Sequence, residues 1–488
     1  MKIRLLHPTN FVLMKYFFRY LASGLSYEDL HFSYRIGKAY NALAACRDAV
    51  CRCGRPQYIR SAVTARRIPA NRMVLAHCGL PQSSVLLEIL HMMDVEEVAA
   101  VIYLYHRRKY RQKNKHRFWI HPLLVTRHDG KEFNIFISNL KKFEYKFFGY
   151  TRMSVKSYEE LLTKLYLNIR GQDTRFRMSI SPEEKLIITI RYLATGCTFA
   201  ELHYIFRIGA STIAEFVREV CSAIWLLLKE SCLPKPSQQG WLDIAKGFFK
   251  RAYFPNCIGA IDGKHIQVIK PCHSGSMYYN YKQFFSIILM AICDSHYKFI
   301  TIDVGACGKF GAAVYQHSNF YKKMIAGELE IPESTPISQV NTIPMPYVLV
   351  GDEAFPLSTN LMRPYAKNTN LNTTKRIYNY RHCRARRYVE CSFGILSNKW
   401  RIFHRPLNVD ISLATDIIKA CCILHNYVRD RDGYNYEDTL TCYMPPDVPE
   451  TQRTYNNRIG NNIAERIRDS FAQYFEHEGK LEWQDKYI

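Results

Sequence analysis

Hydrophobic positions follow two different periods along the chain. Between residues 181 and 235 they recur at steps of three and four, with Ile213, Phe216, Val217, Val220, Ile224 and Leu227 on one face. Ser181-Pro182-Glu183-Glu184 supplies an N-cap, a proline at the first helical position and a capping-box acid, so a helix runs from there to about Ala194, where Gly196 ends it. Thr198 with Glu201 makes a second capping box for a short helix through Phe206. The turn "RIGAS" then leads into a third helix starting near Ser211 or Thr212. Past "KPSQQGW" (235–241) the apolar runs shorten to strand length: "CIGAIDGKHIQVI" (257–269), "FFSIILMAICD" (284–294) and "KFITIDVG" (298–305) read as an antiparallel meander. A mostly helical or irregular stretch follows, then a strand at "YVLVGD" (347–352). Last comes an amphipathic helix whose Val389, Phe393, Leu396 and Trp400 recur at steps of four, three and four.

Strand, strand, strand, helix, strand, helix is the element order of an RNase H-like fold. The expected class is α/β, a mixed-sheet core at 250–430 preceded by an all-helical, helix-turn-helix-like domain at 181–235. Residues 86–180 read as a helical lead-in and 431–488 as a C-terminal tail. The N-terminal 1–85 hold a partial duplicate: "RYLASGLSYEDLHFSYRIG" (19–37) aligns without gaps to "RYLATGCTFAELHYIFRIG" (191–209), identical at ten positions of nineteen. The copy stops at Gly37, before any counterpart of the third helix, and the basic segment after it shows no steady period. It reads as a broken repeat in a poorly ordered region, not a second DNA-binding unit.

Charge sharpens this picture. A formal +24 on 488 residues makes nucleic acid the leading partner, since neutralising phosphates drives binding without any readout of sequence. With 48% hydrophobic and 23% charged residues the chain is globular. No apolar run reaches the roughly 18 residues of a membrane span, and the N-terminus lacks the features of a secretion signal. The sixteen cysteines include no C-x2-C pair; Cys51, Cys53, His77 and Cys78 could supply four zinc ligands, but buried thiols in a reducing compartment are the preferred reading. The run "HRRKYRQKNKHR" (106–117) suits the nucleus, with the cytosol as the other fit. No base-stacking motif of an RNA-binding protein is read.

The candidate chemistry is acidic. Asp262 interrupts the first strand, Asp352 ends the later one, and both strands lie at the centre of the expected sheet. Glu390 sits on the shoulder of the last helix, where it can pair with Arg386 or Arg387 or face a metal ion. Three hard oxygen donors meeting in one cleft suit Mg2+ or Mn2+ and metal-assisted phosphodiester hydrolysis. Arg381, Arg384, Arg386 and Arg387 are expected in the first turns of that helix, where the macrodipole disfavours cations, so four of them there point to an anionic partner. Lys264, and Ser211, Thr212 and Arg218 of the third helix, complete the expected DNA contacts.

Five stretches in order carry a resemblance: "FPNCIGAIDGKHI" (254–266), "GSMYYNYKQFFSIILMAICD" (275–294), "VGDEAFPLSTNLMRPY" (350–365), "YNYRHCRARRYVECSFGILSNKWRIF" (378–403) and "CCILHNYV" (421–428). Over residues 117–429 the chain resembles the PIF/Harbinger group of DDE transposases, which includes Harbinger transposase-derived nucleases. The resemblance implies an acidic triad at Asp262, Asp352 and Glu390, a divalent-metal nuclease or transposase, nuclear residence and often a Myb-like partner that targets DNA. A catalytically inactive DNA- or chromatin-binding protein is the alternative. "DVGACGKFGAAVYQHSNF" (303–320) departs from the family pattern: it lacks an aspartate usual there, for which Asp294 and Asp303 are weak substitutes.

Overall fold

A computed structural model describes residues 131–173, 179–307, 311–338, 340, 342–366, 371–433 and 462–487. These fall in one compact unit, Pro122–Ile488. The expectations for residues 1–85, including the broken repeat, lie outside the described residues.

Helices come first: α1 (Lys131–Lys141), α2 (Glu144–Thr151), α3 (Val155–Ile169), α4 (Pro182–Thr195), α5 (Phe199–Phe206), α6 (Ala210–Cys232) and α7 (Gln238–Ala252). Local signals set their ends. The Ser181 side chain accepts from Glu184 N–H, Gly196 takes the left-handed C-cap at φ 69°, and Thr198 and Glu201 form both halves of a capping box. The sheet strands follow: β1 (Cys257–Gln267), β2 (Ser286–Cys293) and β3 (Phe299–Cys307). Next are two short helices, α8 (Gly311–His317) and α9 (Asn319–Ile325), and a two-residue pair, β4 (Thr335–Pro336) with β5 (Pro344–Met345). The main sheet resumes with β6 (Val348–Val350) and β7 (Leu361–Met362). Three helices close the described chain: α10 (Thr373–Lys399), α11 (Ile411–Asp432) and α12 (Asn462–Glu476).

The sheet order is β3-β2-β1-β6-β7, with β1, β2 and β3 antiparallel and β6 and β7 parallel to β1. Both faces are covered, so β2 is buried along its whole length. On one face Ala260, Leu289, Ala291, Val348 and Val350 share a core with Val389, Phe393 and Leu396 of α10. On the other, Ile258, Ile261, Met290, Ile292 and Leu349 pack with Trp241, Tyr315 and Phe355. Edge strand β3 is clasped by Asn426 of α11. Its amide donates to the Phe299 and Cys232 carbonyls (2.7 and 2.8 Å) and its carbonyl accepts from Phe299 N–H (2.9 Å).

Three expectations change here. The helical region is not separate from the sheet: α6 packs along α11, and one core runs from Ile137 of α1 to Phe475 of α12. Within α6 it is Leu228 that is buried, while Leu227 is 42% exposed. Nor is the chain beyond 431 wholly a tail. Helix α12 buries Phe471 and Phe475 against Phe254 and Tyr378, on the flank of α10.

Candidate active site

Parallel pairing of β1 with β6 sets Ala260 beside Val350. Two residues beyond that pair stand Asp262, still within β1, and Asp352, just past the end of β6, near enough for its charge to act on Asp262. Gly351 fixes this approach: a Cβ there would lie 3.0 Å from the Phe355 ring and 3.1 Å from Ile261. The carboxylate of Asp352 accepts from Ala354 N–H (3.0 Å) and that of Asp262 from Gly263 N–H (2.7 Å).

Helix α10 brings a cation and the third acid. Arg386 Nη1 pairs with Glu390 and lies 3.8 Å from Asp262 Oδ2. The salt bridge that the helical spacing allowed is present, but inside the site: the three side chains are only 20–23% exposed. Enclosure, with the negative charges of Asp352 and Glu390 beside it, pushes the Asp262 carboxyl up to about 7, against the pull of Arg386 and the Gly263 N–H. For Arg386, burial opposes the charge, but Glu390, Asp262 and Asp352 outweigh it and raise the guanidinium further. Lys264, on the same side of β1, sets its ammonium 5.9 Å from the Phe393 ring centroid, and burial lowers its pKa. Among the described residues, no three His, Cys, Asp or Glu side chains are grouped closely enough to hold an ion together.

A positioning residue escaped the sequence reading. His382, 1% exposed, sits one turn before Arg386, with Nε2 3.0 Å from the Met362 carbonyl. That carbonyl also accepts from Gly351 N–H (3.0 Å), so one oxygen joins α10 to the loop that presents Asp352. Burial drops the His382 pKa to about 4, which keeps the ring neutral. The spacing His382-Arg386-Glu390, two steps of four, was the signal available.

The arginine expectations need correcting. Helix α10 begins at Thr373, capped by Asn372, so Arg381 to Arg387 lie two or more turns inside it and the macrodipole argument lapses. Arg381 is a buried clamp, 1% exposed, bound to the carbonyls of Gly479 (3.0 Å) and Tyr253 and to Gln484 Oε1 (3.1 Å), with Phe475 beneath it. It cannot reach DNA. Arg384 stacks over Trp483 and Tyr253, at 4.7 and 5.4 Å. Only Arg387 of the four is exposed. Arg218 is also engaged: it pairs with Asp410, the N-cap of α11, and with Ser412. Ser211 is exposed and Thr212 half-exposed at the start of α6. Asp294 serves a turn, accepting from His296 and Lys298 N–H (2.8 and 2.9 Å), and Asp303 lines a cavity on the opposite side of β2 and β3 from α10; neither joins the acids.

Residues 261–426 match the model of the DDE superfamily endonucleases. Over this span the chain is similar to the DDE superfamily, in line with its resemblance to the PIF/Harbinger group. The matched span begins one residue before Asp262 and contains Asp352 and Glu390. Among the relatives, an ALP1-like protein of Arabidopsis thaliana is 27% identical over 59% of this chain and 71% of the relative. The Arabidopsis protein named Antagonist of Like Heterochromatin Protein 1 is 25% identical over 56% and 67%. HARBI1 of Homo sapiens, whose name describes a candidate nuclease, is 23% identical over 66% and 86%. No solved structure matches. No helix among the described residues is long and apolar enough to cross a membrane.

Proposed function

We propose that this chain is a divalent-metal-dependent DNA nuclease, with Asp262, Asp352 and Glu390 as the residues that hold Mg2+ or Mn2+. One observation carries the reading: Asp262 in β1 and Asp352, just past the end of the adjacent parallel β6, lie with Glu390 near enough for the charges of both to act on Asp262. The sheet order, with β1 central and β6 parallel to it, is that of an RNase H-like core. The donor set suits a hard cation, and burial, with the Asp352 and Glu390 charges beside it, holds Asp262 raised against the pull of Arg386. A bound metal would activate water and stabilise the leaving oxygen of a phosphodiester. The chain's own residues do the rest. Arg386 lies where it can exchange Glu390 for a DNA phosphate, a fork-shaped donor that suits either anion. Lys264 adds positive charge beside Asp262, and exposed Arg387 offers a contact to the DNA backbone. Ser211 and Thr212 are the proposed contacts in the helical region, and a Myb-like protein is the proposed targeting partner. Nuclear residence fits a DNA substrate.

The test is a plasmid-nicking assay with Mg2+ or Mn2+ beside Asp352→Asn. Metal-dependent nicking that the substitution abolishes is the expected result; equal, metal-independent cutting by both proteins rejects the site. A second reading, a silent DNA- or chromatin-binding protein, is favoured by the Arg386–Glu390 pair, which engages the third acid, and by the missing aspartate after Asp303. Intact DNA binding without nicking by either protein would establish it.

A further inference from the structure

The turn that joins β1 to β2 has no role in the proposed site, yet its surface is unusual. Between Asp262 and Asp294 the chain contains no acidic residue, while Lys264, Lys270 and Lys282 are all present. Where these residues leave the sheet they expose Met277 (56%), Tyr279 (46%) and Tyr281 (49%). The loop is held firmly. Asn280, 4% exposed, accepts from the N–H groups of Lys282 and Phe284 (2.9 and 3.2 Å) and donates to Ser286 Oγ (2.9 Å). Ser286 in turn contacts His265 Nδ1 at 2.9 Å. Tyr279 packs its ring edge-on with Phe285, and Tyr281 edge-on with His265, at 5.2 and 5.5 Å between centroids. Lys282 places its ammonium 5.6 Å from the Tyr281 centroid. The result is a pre-arranged pair of half-exposed phenol rings with one cation, Lys282, beside Tyr281.

We infer that the 270–285 loop is a binding surface for unpaired DNA, its Tyr279 and Tyr281 rings stacking on bases and its Lys270 and Lys282 facing the strand's phosphates. Rings can reach base faces only where the bases are unstacked, and an aromatic platform flanked by cations is how sequence-tolerant single-strand binding works. The loop starts where β1 ends, about 17 Å along the strand from Asp262 at a normal strand rise. A strand frayed or cut at the acids therefore has its flank within reach. Charge selects DNA over a protein partner here, since a loop of cations without acids, in a chain of net charge +24, complements a polyanion. The inference rests on the proposed DNA substrate, not on cleavage.

The test is fluorescence anisotropy on the full chain without divalent metal, using a blunt duplex and the same duplex with a single-stranded overhang. Wild type should bind the overhang duplex more tightly. Tyr279→Leu/Tyr281→Leu, which keeps the apolar packing, should lose that preference by about tenfold or more, given the worth of a base–aromatic stack. Tyr279→Phe/Tyr281→Phe should keep it, because the ring face remains. An unchanged preference in the leucine variant overturns the inference, as does an equal loss on the blunt duplex. Because no metal is added, a chain that never cuts still reports. Failure in the nicking assay with an intact overhang preference would reject the nuclease reading alone.

Discussion

At the scale of single residues, Arg386 decides the electrostatics of the site. Its guanidinium is the counter-charge that lets Asp262 and Glu390 sit together with so little water around them. Arg386→Gln should leave three acids without that partner, lowering the melting temperature of the metal-free chain. Added Mn2+ should then raise it more than in wild type, since the ion no longer competes with an internal cation; equal Mn2+ shifts in a thermal-melt assay would count against this. Asp262 and Glu390 were legible in sequence as strand and helix positions, whereas Asp352 stands two residues past the end of β6. The partner of Glu390 was legible too, at a spacing of four, but not its location. An exposed pair and an enclosed pair share the same spacing, and only burial separates them. Arg381 shows the converse. A run of arginines reads as a phosphate grip, whereas three of its acceptors come from residues about a hundred or more positions away.

At the scale of elements, the caps written at Ser181, Thr198 and Gly196 fixed the helix ends because they act within four residues. The start of α10 was missed because Asn372 precedes a polar first turn, and the reading followed the apolar stripe that begins later. Asn426 illustrates a link that no local pattern reveals: one side chain ties α11, the end of α6 and edge strand β3. Asn426→Leu removes three hydrogen bonds and orphans buried backbone groups. It should cost about 2–4 kcal/mol, readable as a lower denaturation midpoint with the denaturant slope unchanged.

At the scale of the whole molecule, buried histidines set the response to acid. Burial lowers His265 and His382 to about 4 and His425 well below its usual value; nearby cations, Lys282 for His265 and Arg386 and Arg468 for His382, add to this. Between pH 6.5 and 4 the unfolded chain therefore takes up protons that the folded chain refuses, so stability is full above 6.5 and falls with pH. Asp262, raised to about 7, binds its proton in the folded state first and opposes the trend across the same window. Burial also lowers His296 and His404 and raises Asp294, so five histidines against two aspartates predict a net loss, and thermal melts from pH 7 to 5 measure it. Asp262→Asn should steepen the loss by removing the opposing proton.

The Arg381 clamp has a consequence for biogenesis. The guanidinium sits at the middle of the helix that carries Glu390, yet its acceptors include Gly479 and Gln484. Both acceptors follow Arg381 by about a hundred residues, so during synthesis the helix gains this anchor only after the segment carrying Gly479 and Gln484 has been made.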